Sequence, residues 1–340
     1  MEHQGRSPGQ RRDRSVTLKD VAVAAGVSES TVSRVFSRPE LLSTETIERV
    51  QSVAVALGYR RNQAARALAT GQFRNLAMIV PDIGNAFYPP LVRSIENRAD
   101  QHGFAVFLGD TDEREDRELV LLSRLAGQVD GFVLAGTRLD EAALVDLART
   151  HPTVLVNRGI ESLSCVLIDT AQGVHDAVRH LNRLGHQHLA YVSGPAESWS
   201  NQQRRASAAA AAEEFGMRLT VIDPELHTFE GGRRSADLVL DSGATAAVAF
   251  DDVIAHGLLT GLRARGLRVP DDLSVIGCDD SLAIGTDPAL TTISHSATDA
   301  GSAAVDLLLD VISGVRNEAT RITIPTRLVH RQTTAAPQRG

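Results

Sequence analysis

The sequence predicts an all-α helix-turn-helix head followed by an α/β body of two doubly wound parallel-sheet lobes. Three observations carry that expectation. Apolar residues recur at helical spacing through TLKDVAVAAGVSESTVSRVF (17–36), broken once at Gly26. After Gly71 short apolar strands alternate with amphipathic helices, the pattern of a parallel sheet covered on both faces. The alternation begins again near residue 171, a repeat of architecture without a visible repeat of sequence.

The head reads as follows. Thr17 and Asp20 make a capping-box-like start, their side-chain oxygens meeting free backbone N–H groups. Leu18, Val21, Ala22 and Ala25 then form one apolar stripe. Gly26 ends the helix, Val27 turns inward and Ser28 caps a second helix, with Val32, Val35 and Phe36 on its inner face. The outer face carries Glu29, Ser30, Ser33 and Arg34, polar groups able to reach base edges or phosphates. Ser43 caps a third helix with Ile47, Val50, Val53 and Leu57 inward, ended at Gly58. Two short helices joined by a tight turn can set a helix in the major groove of DNA; the same shape also serves as an ordinary helical hairpin.

In TLKDVAVAAGVSESTVSRV, LGYRRNQAARAL and NLAMIVPDIGNAFY the chain resembles the LacI/GalR (lactose-repressor) family of transcription regulators, from about residue 16 to 334. The resemblance implies a cytoplasmic, ligand-responsive repressor without catalytic activity, cofactor or metal. Its expected partners are a pseudo-palindromic double-stranded DNA operator, a sugar-like small-molecule effector and a second copy of the chain. The final residues carry no leucine heptad, so a dimer is expected rather than a tetramer. Domains are expected at 1–15 (disordered basic lead-in), 16–61 (DNA-binding), 62–73 (hinge helix and linker), 74–334 (effector-binding and dimerisation body, periplasmic-binding-protein-like) and 335–340 (tail). On the family pattern Glu29, Ser30 and Arg34 face bases and Thr31 and Ser33 hold phosphates. Thr17, Leu18, Ser28 and Tyr59 join the DNA contacts. So do Asn62, Ala65 and Leu68 of a hinge helix too short to be stable alone in water, with Leu68 as an apolar wedge in the minor groove.

Charge is distributed to suit this division. The net charge is −7, yet residues 1–75 hold 12 Lys and Arg against 7 Asp and Glu, and the remainder 23 against 35. A basic head on an acidic body leaves contact with a polyanion to the head. Residues 1–15 are polar and Arg-rich, without the apolar core of a signal peptide, and no stretch reaches 18 uninterrupted apolar residues. Cys165 and Cys278 lie in apparent strands without ligand-spaced partners, which predicts buried thiols.

In the body, strands are expected over 75–80, 104–108, 131–134 and 153–157, with helices over 88–102, 116–126 and 140–149. Pro89 and Pro90 fall in a first helical turn, where a missing N–H is harmless. The second set comprises helices over 171–184, 201–215, 231–240 and 253–265 and strands over 189–193, 246–250 and 274–278, with a helix over 300–312. The resemblance returns that last helix to the first lobe and assigns 327–331 to the second.

In open parallel sheets ligands collect beyond the carboxyl ends of the strands. Residues read from those ends are Asp82, Phe87, Tyr88, Asn157, Asp169, Ser193, Asp251, Asp252 and Asp279. Carboxylates accept pairs of hydroxyl hydrogens, and aromatic faces pack on the apolar faces of sugars; an aspartate after a strand also serves simply to cap the next helix. The resemblance implies pocket roles for Ser198, Ser200 and Arg204 in SGPAESWSNQQRR, and for Asp279 in SVIGCDDS. It implies the same for Phe87 and Tyr88, and for Asp169 in LIDTAQG. Two positions depart from the family pattern: Asp251 stands where Asn is commoner, and His227 where an aromatic often closes the pocket. The alternatives are a two-lobed sugar-metabolism enzyme and a solute-binding protein. The chain has no GxGxxG after its first strand and no GxxxxGK[ST], GxSxG or HExxH. A solute carrier would have no use for the head.

Overall fold

The computed structural model describes residues 16–59, 71–281, 285, 287–316 and 318–338. The chain divides into two compact units between Phe73 and Arg74.

The first unit holds α1 (Leu18–Ala25), α2 (Glu29–Ser37) and α3 (Thr44–Ala56). Its capping follows the residue types. Thr17 N donates to Asp20 Oδ2 at 2.8 Å while Asp20 N donates to Thr17 Oγ1 at 3.3 Å, a reciprocal capping box. Ser28 and Ser43 accept from Thr31 N and Thr46 N. Gly26 closes α1 at φ 66°, a left-handed conformation that costs glycine little. Val21, Ala22, Ala25, Val32, Val35, Val50 and Ala54 form the buried centre, with Phe36, Ile47 and Val53 packed against it. Leu57, expected inward, is instead 40% exposed. It is the C-cap residue of α3, where the helical face that buries Val50 and Ala54 has already run out.

The second unit contains two six-stranded sheets. The first joins β1 (Asn75–Val80), β2 (Ala105–Asp110), β3 (Gly131–Ala135), β4 (Thr153–Val156), β5 (Cys165–Ile168) and β11 (Arg321–Ile324) in the order β11-β5-β4-β3-β1-β2. The second joins β6 (His188–Val192), β7 (Arg218–Ile222), β8 (Ala246–Ala249), β9 (Ser274–Cys278), β10 (Thr291–His295) and β12 (Thr326–Val329) in the order β12-β10-β9-β8-β6-β7. Helices α4 (Tyr88–Gln101), α5 (Glu115–Leu125), α6 (Glu141–Thr150) and α11 (Ala297–Ile312) belong to the first lobe. Helices α7 (Thr170–Leu184), α8 (Trp199–Glu214), α9 (Phe229–Asp241) and α10 (Asp252–Ala264) belong to the second. The chain therefore crosses between lobes three times: from β5 into α7, from β10 into α11, and from β11 through Pro325 into β12.

Several details differ from the sequence reading. β12 pairs antiparallel with β10, so the second sheet is mixed rather than wholly parallel. β11 runs parallel to β5 and ends with it, and one residue later β12 starts opposite His295, the last residue of β10, so it runs back along that strand. β7, β10 and β11 were not foreseen; they are four or five residues long, and β7 and β11 are half-exposed, too short for a periodic signal. Ala335, expected in a free tail, is tied to the second lobe: its N donates to Ser274 Oγ at 3.1 Å and its carbonyl lies 2.9 Å from His186 Nε2. Cys165 and Cys278 are free and buried.

Glycine decides how closely α9 and α10 approach. A Cβ at Gly232 would sit 2.2 Å from the backbone oxygen of Ile254, and one at Gly257 2.0 Å from that of Phe229. Backbone cannot retreat as a side-chain tip can, so a methyl there forces the helices apart. Gly232→Ala is expected to destabilise the second lobe by about 1–3 kcal/mol, read as a lower urea midpoint. An unchanged midpoint would show that the helix pair has slack.

Candidate functional site

Between the two sheets lies a cavity of about 610 Å³ lined by residues of both lobes. The first lobe contributes Asp82, Asn85, Phe87, Tyr88, Glu113, Arg138 and Asn157, the second Ser198, Ser200, Arg204, His227, Phe250, Asp251 and Asp279. Asp169 is not among its lining residues. It caps α7, accepting from Gln172 N at 3.2 Å, while its carbonyl accepts from Thr326 Oγ1 at 2.7 Å, so it stitches a crossover. Asp252 is also spent internally, accepting from Thr292 Oγ1 at 2.6 Å and Ser281 N at 3.0 Å. Ser193 is fully buried outside the lining. These are the helix-capping and core uses that an aspartate or serine after a strand commonly has.

Local structure brings the remaining groups together. Ser198 caps α8. Asn201, 2% exposed, accepts from Tyr191 OH and Gly194 N and donates to Gly194 O, which fixes the turn from β6 into α8. That turn sets Ser198 and Ser200 on the cavity wall and Arg204 one turn deeper. Arg204 is 3% exposed; its guanidinium donates to the Phe250 carbonyl and, at 3.3 Å, to Asp279 Oδ1, and its carbon lies 4.6 Å from the Phe250 ring centroid. Asp279 also lies 3.5 Å from His295 Nε2, whose ring packs 5.4 Å from that of Phe87. A continuous contact chain thus runs from α8 through the end of β9 and a crossover into the first lobe.

The electrostatics follow from burial. Desolvation pushes the Asp279 carboxyl up, but Arg204 and His295 outweigh it and hold Asp279 below the usual carboxylate range. Asp251 makes no ion pair, and the more distant Arg204 offsets only part of its shift. Burial, then repulsion from Asp279, raises it from 3.8 to about 6, although Ile254 N and Asn85 Nδ2 donate to it at 2.8 and 3.0 Å. The Asn85–Asp251 bond spans the cleft. Burial likewise raises Glu113, with Asp82 of the same lobe and Glu197 of the other adding repulsion, despite the Arg138 ion pair. His227 is pushed down by burial and stands neutral at pH 7.

In the head, Glu29, Ser30, Ser33 and Arg34 are all exposed on one side of α2, with Thr31 half-buried. Ser28 Oγ lies 2.8 Å from Ser30 Oγ and 2.9 Å from Thr31 Oγ1, a cluster of hydroxyls at the helix start. Thr17 is exposed and Leu18 half-buried; Tyr59 is half-buried with its ring 6.1 Å from Phe36. Asn62, Ala65 and Leu68 lie outside the described residues.

Comparison with known proteins matches both units. Residues 17–62 match the bacterial regulatory proteins of the lacI family, and residues 178–334 the periplasmic binding protein-like domain. Catabolite control protein A of Priestia megaterium is 33% identical over 330 residues, covering 94% of this chain and 99% of that protein. The chain belongs to the LacI family. Members of this family are transcriptional regulators, and this chain is a ligand-responsive DNA-binding regulator. Among solved structures, the lac repressor dimer bound to operator and the anti-inducer ONPF superimposes with a TM-score of 0.87 at 28% identity, over 95% of this chain and 100% of that one. A LacI family regulator from Enterococcus faecium with bound ribose superimposes with a TM-score of 0.70 at 28% identity, over 77% of this chain and 99% of that one. No helix among the described residues is long and apolar enough to cross a membrane.

Sequence reading missed Asn85, Glu113, Arg138 and Asn201. Asn85 and Asn201 were within reach, since they sit in the quoted runs NLAMIVPDIGNAFY and SGPAESWSNQQRR; Glu113 and Arg138 lie in loops without a period.

Asp251 generates a pH-dependent expectation. Its folded pKa lies above its unfolded value, so its contribution is complete below about pH 4 and is lost as pH rises through about 6. Above that the buried charge costs the fold about 3 kcal/mol. Asp251→Asn keeps the cap on α10 and removes the charge. It is expected to raise the urea midpoint of the ligand-free protein near pH 7.5 and to lose most of that gain near pH 4.5. An equal effect at both pH values would exonerate the carboxylate.

Proposed function

We propose that this regulator is a cytoplasmic repressor that binds a pseudo-palindromic operator as a homodimer and answers to a sugar-like effector held between its lobes. The carrying observation is that groups from both lobes line one cavity. A ligand shifts a conformational equilibrium only by the difference in its affinity for the two forms. Contacts made from Phe87, Tyr88 and Asn85 on one side and Ser198, Ser200 and Arg204 on the other exist together only in one lobe arrangement. Hydroxyls suit the carboxylates, serines and guanidinium, and the Phe87 and Tyr88 rings suit the apolar face of a sugar ring. The ribose-bound relative supports this chemistry, and the operator-bound lac repressor dimer supports the assembly.

At the head, α2 is the recognition helix in this proposal. Glu29, Ser30 and Arg34 read base edges; Thr17, Ser28, Thr31 and Ser33 hold phosphates, which hydroxyls and backbone N–H groups at helix starts do well. Leu18 and Tyr59 brace these contacts from the head's own core. Arg34 can bond both acceptors of a guanine edge, a pairing worth about 1–3 kcal/mol of discrimination. Arg34→Ala is expected to relax the consensus recovered by operator selection while keeping weak, salt-sensitive binding; recovery of the wild-type consensus would remove Arg34 from base reading.

The effector site is tested by titration. A thermal-shift screen against ribose, other pentoses and hexoses identifies a stabilising sugar, and operator anisotropy is then followed across its concentration. Arg204→Lys keeps a charge beside Asp279 but loses the planar fork. The midpoint is expected to move at least tenfold to higher sugar concentration. An unmoved midpoint would put the effector elsewhere.

A further inference from the structure

The cavity's charge is lopsided. Asp82 and Glu113 from the first lobe face Glu197, Asp251 and Asp279 from the second, against two arginines. Both arginines are committed: Arg138 to Glu113 and the Gly136 carbonyl, Arg204 to Asp279 and the Phe250 carbonyl. His227 is neutral at pH 7. Among the described lining residues no cation is left to meet a carboxylate or phosphate on a ligand. Asp251, 2% exposed, is the buried carboxylate without an ionic partner; its two neutral donors leave lone pairs on each oxygen open. Arg204, itself 3% exposed, lines the cavity wall and has an Nε hydrogen without a partner.

We propose that the effector is an amino sugar or similar polyol amine, with its ammonium received by Asp251 beneath the acidic mouth and its oxygens by Arg204. This rests on the reading of the cavity as the effector site. An ammonium offers three donors and no acceptor, matching a carboxylate with open lone pairs. A buried charge that the ligand-free protein leaves uncompensated is where a countercharge gains most. Asp251 reports the lobe arrangement directly, because Asn85 of the other lobe donates to it.

The test uses the full chain at pH 7, with binding read from Tm shifts and from the fluorescence of Trp199, the single tryptophan, which packs against the first-lobe core. Probes are glucose, galactose and mannose, each with its 2-amino and 2-acetamido form and its 6-phosphate. One free amine is expected to bind at least tenfold more tightly than its neutral parent and its acetamide, and the phosphates not at all. Asp251→Asn is expected to abolish that preference. Glu197→Gln, on the exposed rim, is expected to weaken amine binding several-fold in a salt-sensitive way. Equal binding of amine and parent overturns the charge assignment and leaves a sugar site standing. Amine preference that survives both variants overturns the role of Asp251, and preference for a phosphate overturns the charge reading outright. Silence from every probe overturns this proposal together with the sugar reading beneath it.

Discussion

A guanidinium and a carboxylate can share a buried wall only if each is held by more than the other. Removing two charges from water costs several kcal/mol per ion, and Coulomb attraction repays it only where further hydrogen bonds complete both groups. Arg204 and Asp279 meet that condition through the Phe250 carbonyl, the Phe250 ring and His295. Much else follows from it. Asn201 holds the turn that aims α8, Gly194 leaves room for the Phe250 ring, and Asp279 accepts an unusual φ of 105° to face inward. That part of the cavity wall is therefore fixed by several contacts at once.

The lobe junction is built differently. Three chain crossings, the Asn85–Asp251 hydrogen bond and the Phe87–His295 contact tie the lobes at their shared edge. Each lobe keeps its own cores: one cluster lies under α4 and α11 in the first, another under α9 and α10 in the second. Few contacts beside large independent cores are the condition for relative motion of lobes at low energetic cost. The Asn85–Asp251 hydrogen bond adds an attraction, set against the excess of acidic side chains around the cavity. Such a balance can be tipped by a ligand supplying only a few kcal/mol of differential affinity.

What the sequence determined by itself is local. Capping residues and apolar periods specify the head helices, because Thr17, Ser28 and Ser43 each act on the N–H group three residues on, and Val21, Val32 and Val50 each fall on the apolar face of their helix. The alternation of strands and helices likewise announced two wound lobes, and the motif runs named the family. What only the tertiary structure decided is which aspartates face the cavity. Asp169, Asp251, Asp252 and Asp279 all follow strands and read alike in sequence. Asp169 caps a helix, Asp252 is held by Thr292 and Ser281, Asp279 is paired with Arg204, and Asp251 lines the cavity with neutral donors as its hydrogen-bond partners. Deciding partners lie far off in the chain: Thr292 is 40 residues from Asp252, Arg204 75 from Asp279 and Asn85 166 from Asp251. A carboxylate's chemistry depends on the charges and solvent around it, and no pattern of neighbours along the backbone encodes those.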